Sequence, residues 1–267
     1  MTVQSKFGYQ AYIICTSPRS GSTLLCKLLA ATGVAGKPES YFHVPTLAAW
    51  QKSLNLQSRD YKKEVSALKA VFSASRSKGM GGSSLFGLRL QRKSASFFFD
   101  RLEFTHPDAS SDLARFEAEF GKTCIIHLTR QDKLSQAISL IKATQTGLWH
   151  KAPDGTELER TSEPKEPDYD RELIRQTVEE VTLYEDEWSN WFSREGLDPY
   201  RITYDGLAND PETVLVDLIS HLGFDGAVAK GIPLPVAKLA DKVSEEWKTR
   251  YLLDEGLKGK KPNEMKP

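Results

Sequence analysis

Short runs of consecutive apolar residues alternate along the chain with stretches in which apolar residues recur every three or four positions. The first run, residues 12–15 (Tyr-Ile-Ile-Cys), predicts a strand buried on both faces, as in a parallel sheet. Between residues 22 and 32 the leucines fall at helical spacing, and Gly33 then supplies a stop signal. The pattern predicts a strand, a tight loop and a helix.

Two further units of the same kind follow. Residues 123–129 predict a second strand, and the helix after it extends from Asp132, a suitable N-cap, to Thr146. Residues 200–204 predict another strand, followed by a helix that starts at Pro211. Strands that alternate with helices indicate an α/β fold with a mainly parallel central sheet flanked by helices.

The segments between these units are less regular. Residues 85–90 form a further candidate strand, and residues 173–192 a long helical stretch. Residues 151–170 are polar and contain prolines, so we expect a long loop there, either a lid or binding loop or a disordered excursion. We expect one domain over residues 1–255 and a flexible, lysine-rich tail over residues 256–267.

Composition narrows the possible partners. The 267 residues include 36 basic and 36 acidic side chains, so no net charge draws the molecule to nucleic acid or to a membrane surface. Any anion site must be local. Cys15, Cys26 and Cys124 lie in apolar runs without metal-ligand spacing, and the histidines form no metal motif, so we expect reduced core thiols and no bound metal. No segment resembles a signal peptide or membrane span, which favours a cytoplasmic location.

The loop after the first strand has the chemistry of an anion site. It contains Arg19, Ser20, Gly21, Ser22 and Thr23, in which the glycine allows close approach, the hydroxyls can donate and the helix N-terminus attracts negative charge. The Walker phosphate loop has lysine where this chain has Ser22, which argues against an ordinary kinase or ATPase. The nearest replacement cation is Arg19. A polar turn without a ligand remains the alternative.

Several stretches together suggest a family. The loop resembles the 5'-phosphosulfate loop of sulfotransferases that use 3'-phosphoadenosine 5'-phosphosulfate (PAPS), and the wider pattern resembles the bacterial trehalose 2-sulfotransferase family. The supporting stretches span nearly the whole chain: Ala31-Thr32-Gly33-Val34-Ala35-Gly36 with Pro38, His127-Leu128-Thr129-Arg130 with Ser135-Gln136-Ala137-Ile138-Ser139, Gln145-Thr146-Gly147-Leu148-Trp149, and Glu246-Trp247-Lys248-Thr249-Arg250-Tyr251.

The resemblance implies a P-loop-like sulfotransferase architecture and a donor site for PAPS that needs no metal. Residues 19–23 would hold the 5'-phosphosulfate, with Arg19 also acting as the catalytic cation. An arginine at a strand end and a serine on the next helix would hold the 3'-phosphate. Arg130 matches the first, and Ser135 is preferred to Ser139 for the second because it lies nearer the helix N-terminus.

The acceptor segment departs from the family pattern. The family's general base is a glutamate within Pro-x-Glu-aromatic-Phe, and an ungapped match places Ser40 at that position. A shift of one residue makes Glu39 the preferred catalytic base and acceptor-binding residue, with His43 as the second candidate.

The remaining acceptor-side candidates are Tyr41, Phe42 and Trp149, whose rings suit stacking on a sugar, and Arg89 at a strand end. The expected acceptor is a small carbohydrate, a trehalose-like sugar or the sugar of a glycolipid, and the resemblance also implies a homodimer. Two other functions stay open: a P-loop phosphotransferase, and a nucleotide-binding module without turnover.

Overall fold

The computed structural model describes residues 3–57, 63–237, 239 and 241–256. Apart from Gly256, the predicted tail lies outside the described residues. The strands are β1 (Ala11–Thr16), β2 (Phe86–Gln91), β3 (Thr123–Thr129), β4 (Leu148–Lys151), β5 (Glu157–Arg160) and β6 (Tyr200–Thr203). The helices are α1 (Ser22–Ala31), α2 (Leu47–Ser53), α3 (Glu64–Met80), α4 (Arg92–Thr105), α5 (Asp112–Phe120), α6 (Lys133–Thr146), α7 (Arg171–Arg194), α8 (Tyr204–Asn209), α9 (Pro211–His221) and α10 (Lys242–Asp254).

A four-stranded parallel sheet in the order β2-β1-β3-β6 forms the centre of the fold. Strand β1 is buried along its whole length, and its Ile13 lies opposite Leu88 on one side and Ile125 on the other. The structure therefore confirms the predicted α/β class, with the observed strands within one or two residues of their predicted bounds.

Alternate side chains of β1 enter two separate cores. Ile13 and Cys15 pack with residues of α3, α4, α5 and α7 on one face, whereas Tyr12 and Ile14 pack with α1 and α9 on the other. Period-two alternation explains how a continuous apolar run serves both layers. The three cysteines are free and buried, as the sequence predicted.

The region predicted as a loop over residues 151–170 contains a strand, which corrects that prediction. Strand β5 pairs antiparallel with β4, and the hairpin lies next to the end of α6. Its sequence, Glu-Leu-Glu-Arg, has three charged residues and only one apolar residue, so no strand pattern was visible. Among the described helices, none is long and apolar enough to cross a bilayer.

Candidate anion-binding site

The loop from Ser17 to Gly21 connects β1 to α1 with two residues in left-handed conformations. Arg19 has φ 61° and Gly21 has φ 86°. A side chain at Gly21 would not fit, because its Cβ would lie 2.7 Å from a ring carbon of Tyr204. Helix α1 then begins at Ser22, so the first N–H groups of the helix are available to a ligand at this loop.

Hydrogen bonds beneath the loop fix its shape. The Thr16 hydroxyl donates to the carbonyl of Leu128 on β3 at 2.9 Å and lies 2.6 Å from the hydroxyl of Ser20. Ser20 is fully buried, so its side chain supports the loop from inside. The amide of Gln136 donates to the Ser17 hydroxyl at 2.8 Å and to the Pro18 carbonyl at 2.7 Å. The loop is therefore held to both β3 and α6.

Two of the supporting residues were not predicted as part of the site. Gln136 lies on the buried face of α6. A polar amide among the apolar residues of that face is the sequence signal that could have identified it. Trp188 on α7 donates from Nε1 to the carbonyl of Thr16 at 2.9 Å, a contact that spans 172 residues. The Trp188 ring is buried in the core, and its indole N–H adds a polar contact at the end of β1.

Arg19 turns across the cleft toward α6 and the β4–β5 hairpin. Its Nε donates to the Ser139 hydroxyl at 3.0 Å, and one terminal nitrogen donates to the Trp149 carbonyl at 2.7 Å. Burial and, to a smaller extent, the positive charge of Arg130 together lower the pKa of Arg19 to about 10. The guanidinium still carries its proton at neutral pH, so a positive charge is held in a partly dry cleft.

Arg130 follows β3 and approaches the same loop from the other side. A terminal nitrogen donates to the Arg19 carbonyl at 3.3 Å, and the guanidinium lies 4.4 Å from the centre of the Tyr204 ring. Its Nε is buried and has no partner among the described residues. A buried N–H without a partner is costly, and an anion placed between these two arginines would satisfy it and relieve their repulsion. The observed residues thus fit an anionic ligand.

Ser135 and Ser139 lie one turn apart on α6 and have different partners. Whereas Ser139 contacts Arg19, the Ser135 hydroxyl donates to Asp132 at 2.8 Å and accepts from Lys248 Nζ at 3.0 Å. Lys248 also donates to Asp132 at 2.6 Å. Burial acts to raise the pKa of Asp132, but the hydrogen bonds from Lys248 and Ser135 outweigh it and lower that pKa overall. Helix α10 thus contributes a cation near the start of α6.

The acceptor segment meets the loop through Arg89 on β2. Its Nε donates to the Ser40 hydroxyl and a terminal nitrogen donates to the Thr23 hydroxyl, both at 2.8 Å. Glu39 pairs through its backbone with β2, and its carboxylate is 60% exposed and lies 4.0 Å from Lys78 on α3. Ser40 thus contacts Arg89 next to the loop, whereas the Glu39 carboxylate makes no hydrogen bond to the loop within the described residues.

The three aromatic candidates have different environments. Tyr41 and Phe42 are buried in the core, where Phe42 stacks on Phe98 with ring centres 4.5 Å apart. Their ring faces are covered by protein, in contrast to the predicted stacking on a sugar. Trp149 is partly exposed on β4, where its indole donates to the Thr161 hydroxyl at 3.2 Å and its carbonyl holds Arg19. Of the three rings, only that of Trp149 is partly exposed.

His43 lies at the exposed rim of the same cleft. Desolvation lowers its pKa, and the positive charges of Arg89 and Lys93 add to this shift while Glu159 opposes it. Within the described part of the chain, its ring makes no hydrogen bond.

His150 on β4 was not predicted as a site residue. Its Nε2 lies 3.0 Å from the Thr23 hydroxyl and 3.6 Å from a carboxylate oxygen of Glu159 on β5. The sequence offered only a lone histidine after the Leu148-Trp149 pair, without metal spacing. The contact depends on the hairpin, which the sequence did not reveal.

The charges around His150 keep its ring neutral. Burial lowers the pKa of His150 to about 4, and the positive charges of Arg19, Arg89 and Lys27 act in the same direction. At neutral pH the imidazole is therefore a potential proton acceptor. In the part of the chain that the structure describes, no three His, Cys, Asp or Glu side chains are grouped so as to hold a metal ion.

The first strand of the parallel sheet ends in a tight loop. Arg19 after β1, Arg89 on β2 and Arg130 after β3 lie around this loop, so the molecule is an α/β protein whose residues at the carboxyl ends of its strands fit an anion. A sequence profile described as Stf0 sulphotransferase matches residues 11–254, and the chain belongs to that family. This confirms the resemblance seen in the sequence.

Two relatives cover nearly the whole chain. The trehalose 2-sulfotransferase of Mycolicibacterium smegmatis is 29% identical over 268 residues, which cover 91% of this chain and 95% of the relative. The trehalose 2-sulfotransferase of Mycobacterium tuberculosis is 27% identical over 259 residues, covering 90% and 93%. A solved sulfotransferase from Alicyclobacillus acidocaldarius is 13% identical with a TM-score of 0.41 over 92% of each chain, a structural similarity too low to add to the argument.

Proposed function

We propose that this protein transfers a sulfuryl group from PAPS to a hydroxyl of a small carbohydrate and releases 3',5'-ADP. One observation carries the donor assignment: in a member of a sulfotransferase family, Arg19 and Arg130 converge on one loop, and a buried N–H of Arg130 lacks a partner among the described residues. PAPS supplies an activated sulfuryl group on its 5'-phosphate and carries a second anionic group, the 3'-phosphate. The two anionic groups match the two arginines.

The loop would hold the 5'-phosphosulfate. Helix α1 begins directly after Gly21, so Ser22 and Thr23 would direct their N–H groups, and Thr23 also its hydroxyl, to the anion. Arg19 would compensate the charge that develops on the leaving phosphate oxygen, since its guanidinium is already desolvated and needs little reorganisation. Arg19 uses its Nε and one terminal nitrogen for Ser139 and Trp149, and its remaining N–H groups would serve the ligand.

The 3'-phosphate would lie between Arg130 and the first turns of α6. Ser135 remains our choice for the serine ligand, because Lys248 accompanies it and adds a positive charge. Ser139, which contacts Arg19, would instead lie nearer the phosphosulfate. The C-terminal helix α10 would then take part in donor binding.

For the acceptor we propose a trehalose-like carbohydrate, on the basis of the two relatives named as trehalose 2-sulfotransferases. Trp149 offers a partly exposed ring on β4, and Arg89 and His43 would line the acceptor side of the cleft. A cytoplasmic location and a homodimer belong to the same proposal.

Binding of donor-related nucleotides tests the donor assignment. Thermal unfolding is recorded with 3',5'-ADP, ATP and GTP, and we expect the largest stabilisation with 3',5'-ADP because it carries both phosphates. Arg130→Met should abolish most of that stabilisation, whereas Arg175→Met, an exposed arginine of α7 paired with Glu172 and Glu179, should leave it intact.

The same experiment separates the competing functions. A preference for ATP or GTP would point to a P-loop phosphotransferase and reject the proposal. Binding of 3',5'-ADP without any release of 3',5'-ADP from PAPS, in the presence of trehalose and a panel of other sugars, would identify a binding module without turnover.

A further inference from the structure

The proposed sulfuryl transfer needs a general base that takes the proton of the attacking acceptor hydroxyl. Ser40 occupies the place of the family's glutamate, and its hydroxyl already accepts a hydrogen bond from Arg89. The neighbouring Glu39 carboxylate is mostly exposed and lies 4.0 Å from Lys78, and among the described residues it makes no hydrogen bond to the loop. A carboxylate in that position is poorly placed to take a proton from a hydroxyl that attacks at the loop.

We propose that His150 is the general base of the sulfuryl transfer. This inference rests on the proposed function and assigns a role within it. Its imidazole Nε2 lies 3.0 Å from the hydroxyl of Thr23, a residue at the N-terminus of α1 that borders the position proposed for the phosphosulfate. No other histidine in the described part of the chain has a ring in hydrogen-bond contact with this loop.

The hydrogen bonds around Thr23 favour a proton-accepting Nε2. The Thr23 oxygen accepts from Arg89 at 2.8 Å, and its own proton remains available for His150. An acceptor hydroxyl that enters the cleft can replace the Thr23 hydroxyl as the donor to the same nitrogen. Because β4 carries both His150 and the carbonyl that holds Arg19, the base and the catalytic cation are fixed by adjacent residues.

The charged groups around His150 tune it as the donor binds. Arg19 from the loop, Arg89 from β2 and Lys27 from α1 are positive, and Glu159 from β5 is negative. Burial and the combined effect of these charges keep the pKa of His150 at about 4 in the free protein. Anionic groups bound against Arg19 would offset this positive charge and move the pKa back toward the ordinary value of ~6.5, where an imidazole is an effective base.

In the proposed reaction the sulfuryl group moves from one oxygen to another. The acceptor oxygen forms a bond to sulfur while the bond from sulfur to the bridging phosphate oxygen breaks. The electron pair stays on that oxygen, near the charge of Arg19, and 3',5'-ADP leaves. The acceptor proton moves to Nε2 of His150, and the resulting imidazolium returns the proton to solvent.

Replacement of His150 by glutamine tests the proposal, because the glutamine amide can keep a contact at the place of Nε2 but cannot accept the proton. We expect His150→Gln to lower kcat for release of 3',5'-ADP from PAPS with trehalose by about 10²–10⁴-fold, the usual size of a general-base contribution. Affinity for 3',5'-ADP should stay within about threefold. His221→Gln, an exposed histidine on α9, is the matched control and should keep full activity.

Parallel variants separate the three candidate bases. Glu39→Gln should keep kcat within about fivefold of the wild-type value, and His43→Gln, on the acceptor side of the cleft, should change the KM for trehalose more than it changes kcat. Loss of kcat in either of them with retention in His150→Gln would overturn the inference and assign the base to Glu39 or His43. A loss of 3',5'-ADP affinity in His150→Gln as large as the loss of kcat would also overturn it, because His150 would then act in donor binding.

Titration of the histidine ring signals by NMR gives a readout that needs no turnover. The His150 signals are assigned from their absence in His150→Gln, and their pKa is measured in the free wild-type protein and with saturating 3',5'-ADP. We expect the pKa to rise on binding, and a value that does not change would contradict the charge coupling. If wild-type protein binds no 3',5'-ADP, the proposed function itself fails, which is a different result from normal turnover in His150→Gln.

Discussion

Replacement of Gly21 by alanine tests whether the loop geometry creates the donor site. Gly21 has φ 86°, and an added Cβ would lie 2.7 Å from the Tyr204 ring. The left-handed conformation costs alanine about 1–2 kcal/mol, and forcing a methyl against the ring adds about 1–3 kcal/mol. We therefore expect Gly21→Ala to lose ~2–5 kcal/mol of stability.

The ring displacement should also reach the donor site, because Arg130 lies 4.4 Å from the centre of the Tyr204 ring. We expect the Kd for 3',5'-ADP to rise at least about tenfold, equivalent to about 1.4 kcal/mol. Gly196→Ala is the matched control, since Gly196 has φ 66° but no atom within 4 Å of an added Cβ. It should show the conformational cost without the loss of affinity.

The assays are thermal unfolding and isothermal titration calorimetry with 3',5'-ADP. For a chain of this size, 1 kcal/mol corresponds to about 2–4 °C in Tm. Gly196→Ala should therefore lose only a few degrees, and Gly21→Ala clearly more. Equal Tm losses in the two variants, with wild-type affinity in Gly21→Ala, would refute the proposed link between the loop, the Tyr204 ring and the donor site.

Two further predictions concern the supports of the site. Asp132→Asn keeps an N-cap but loses the charge that holds Lys248, so we expect a loss of about 1–2 kcal/mol at pH 7 in urea unfolding. Because the pKa of Asp132 is lower in the folded state, its contribution to stability is complete above the unfolded pKa of ~3.9 and disappears as the pH falls through the folded pKa. A stability difference between Asp132→Asn and wild type that stays constant down to pH 3 would contradict this. Trp188→Phe removes the donor to the Thr16 carbonyl, and we expect a loss of about 1–3 kcal/mol in the same assay. Trp247→Phe, whose indole packs on Tyr169, is the comparison, and equal losses in both would assign the effect to volume alone.

The positions of the loop and of Arg130 were predictable because their signals are local. The loop is one contiguous segment between a buried strand and a helix, and Arg130 directly follows an apolar strand. Parallel strands place their carboxyl ends at one edge of the sheet, so two such signals in sequence come together in space. The N-cap at Asp132 followed from its residue type and position.

The acceptor side was less predictable because it depends on packing and on charged strands. The ring of Phe42 is buried by Phe98, a residue 56 positions later in the chain, and residue type alone could not distinguish a core ring from a sugar-binding one. His150 reaches Thr23 only because a hairpin with a charged second strand forms over the cleft. The direction of Glu39 depends on its backbone pairing with β2.

The bond between Trp188 and Thr16 also has a consequence for the order of assembly during synthesis. The loop is translated among the first residues, yet its supports come from Gln136, Trp188 and Tyr204, much later in the chain. Contacts of such long sequence separation form late, because closing the intervening chain is entropically costly. A nascent chain therefore has the complete sequence of the loop long before the loop has its supports, the last of which, Tyr204, follows β6.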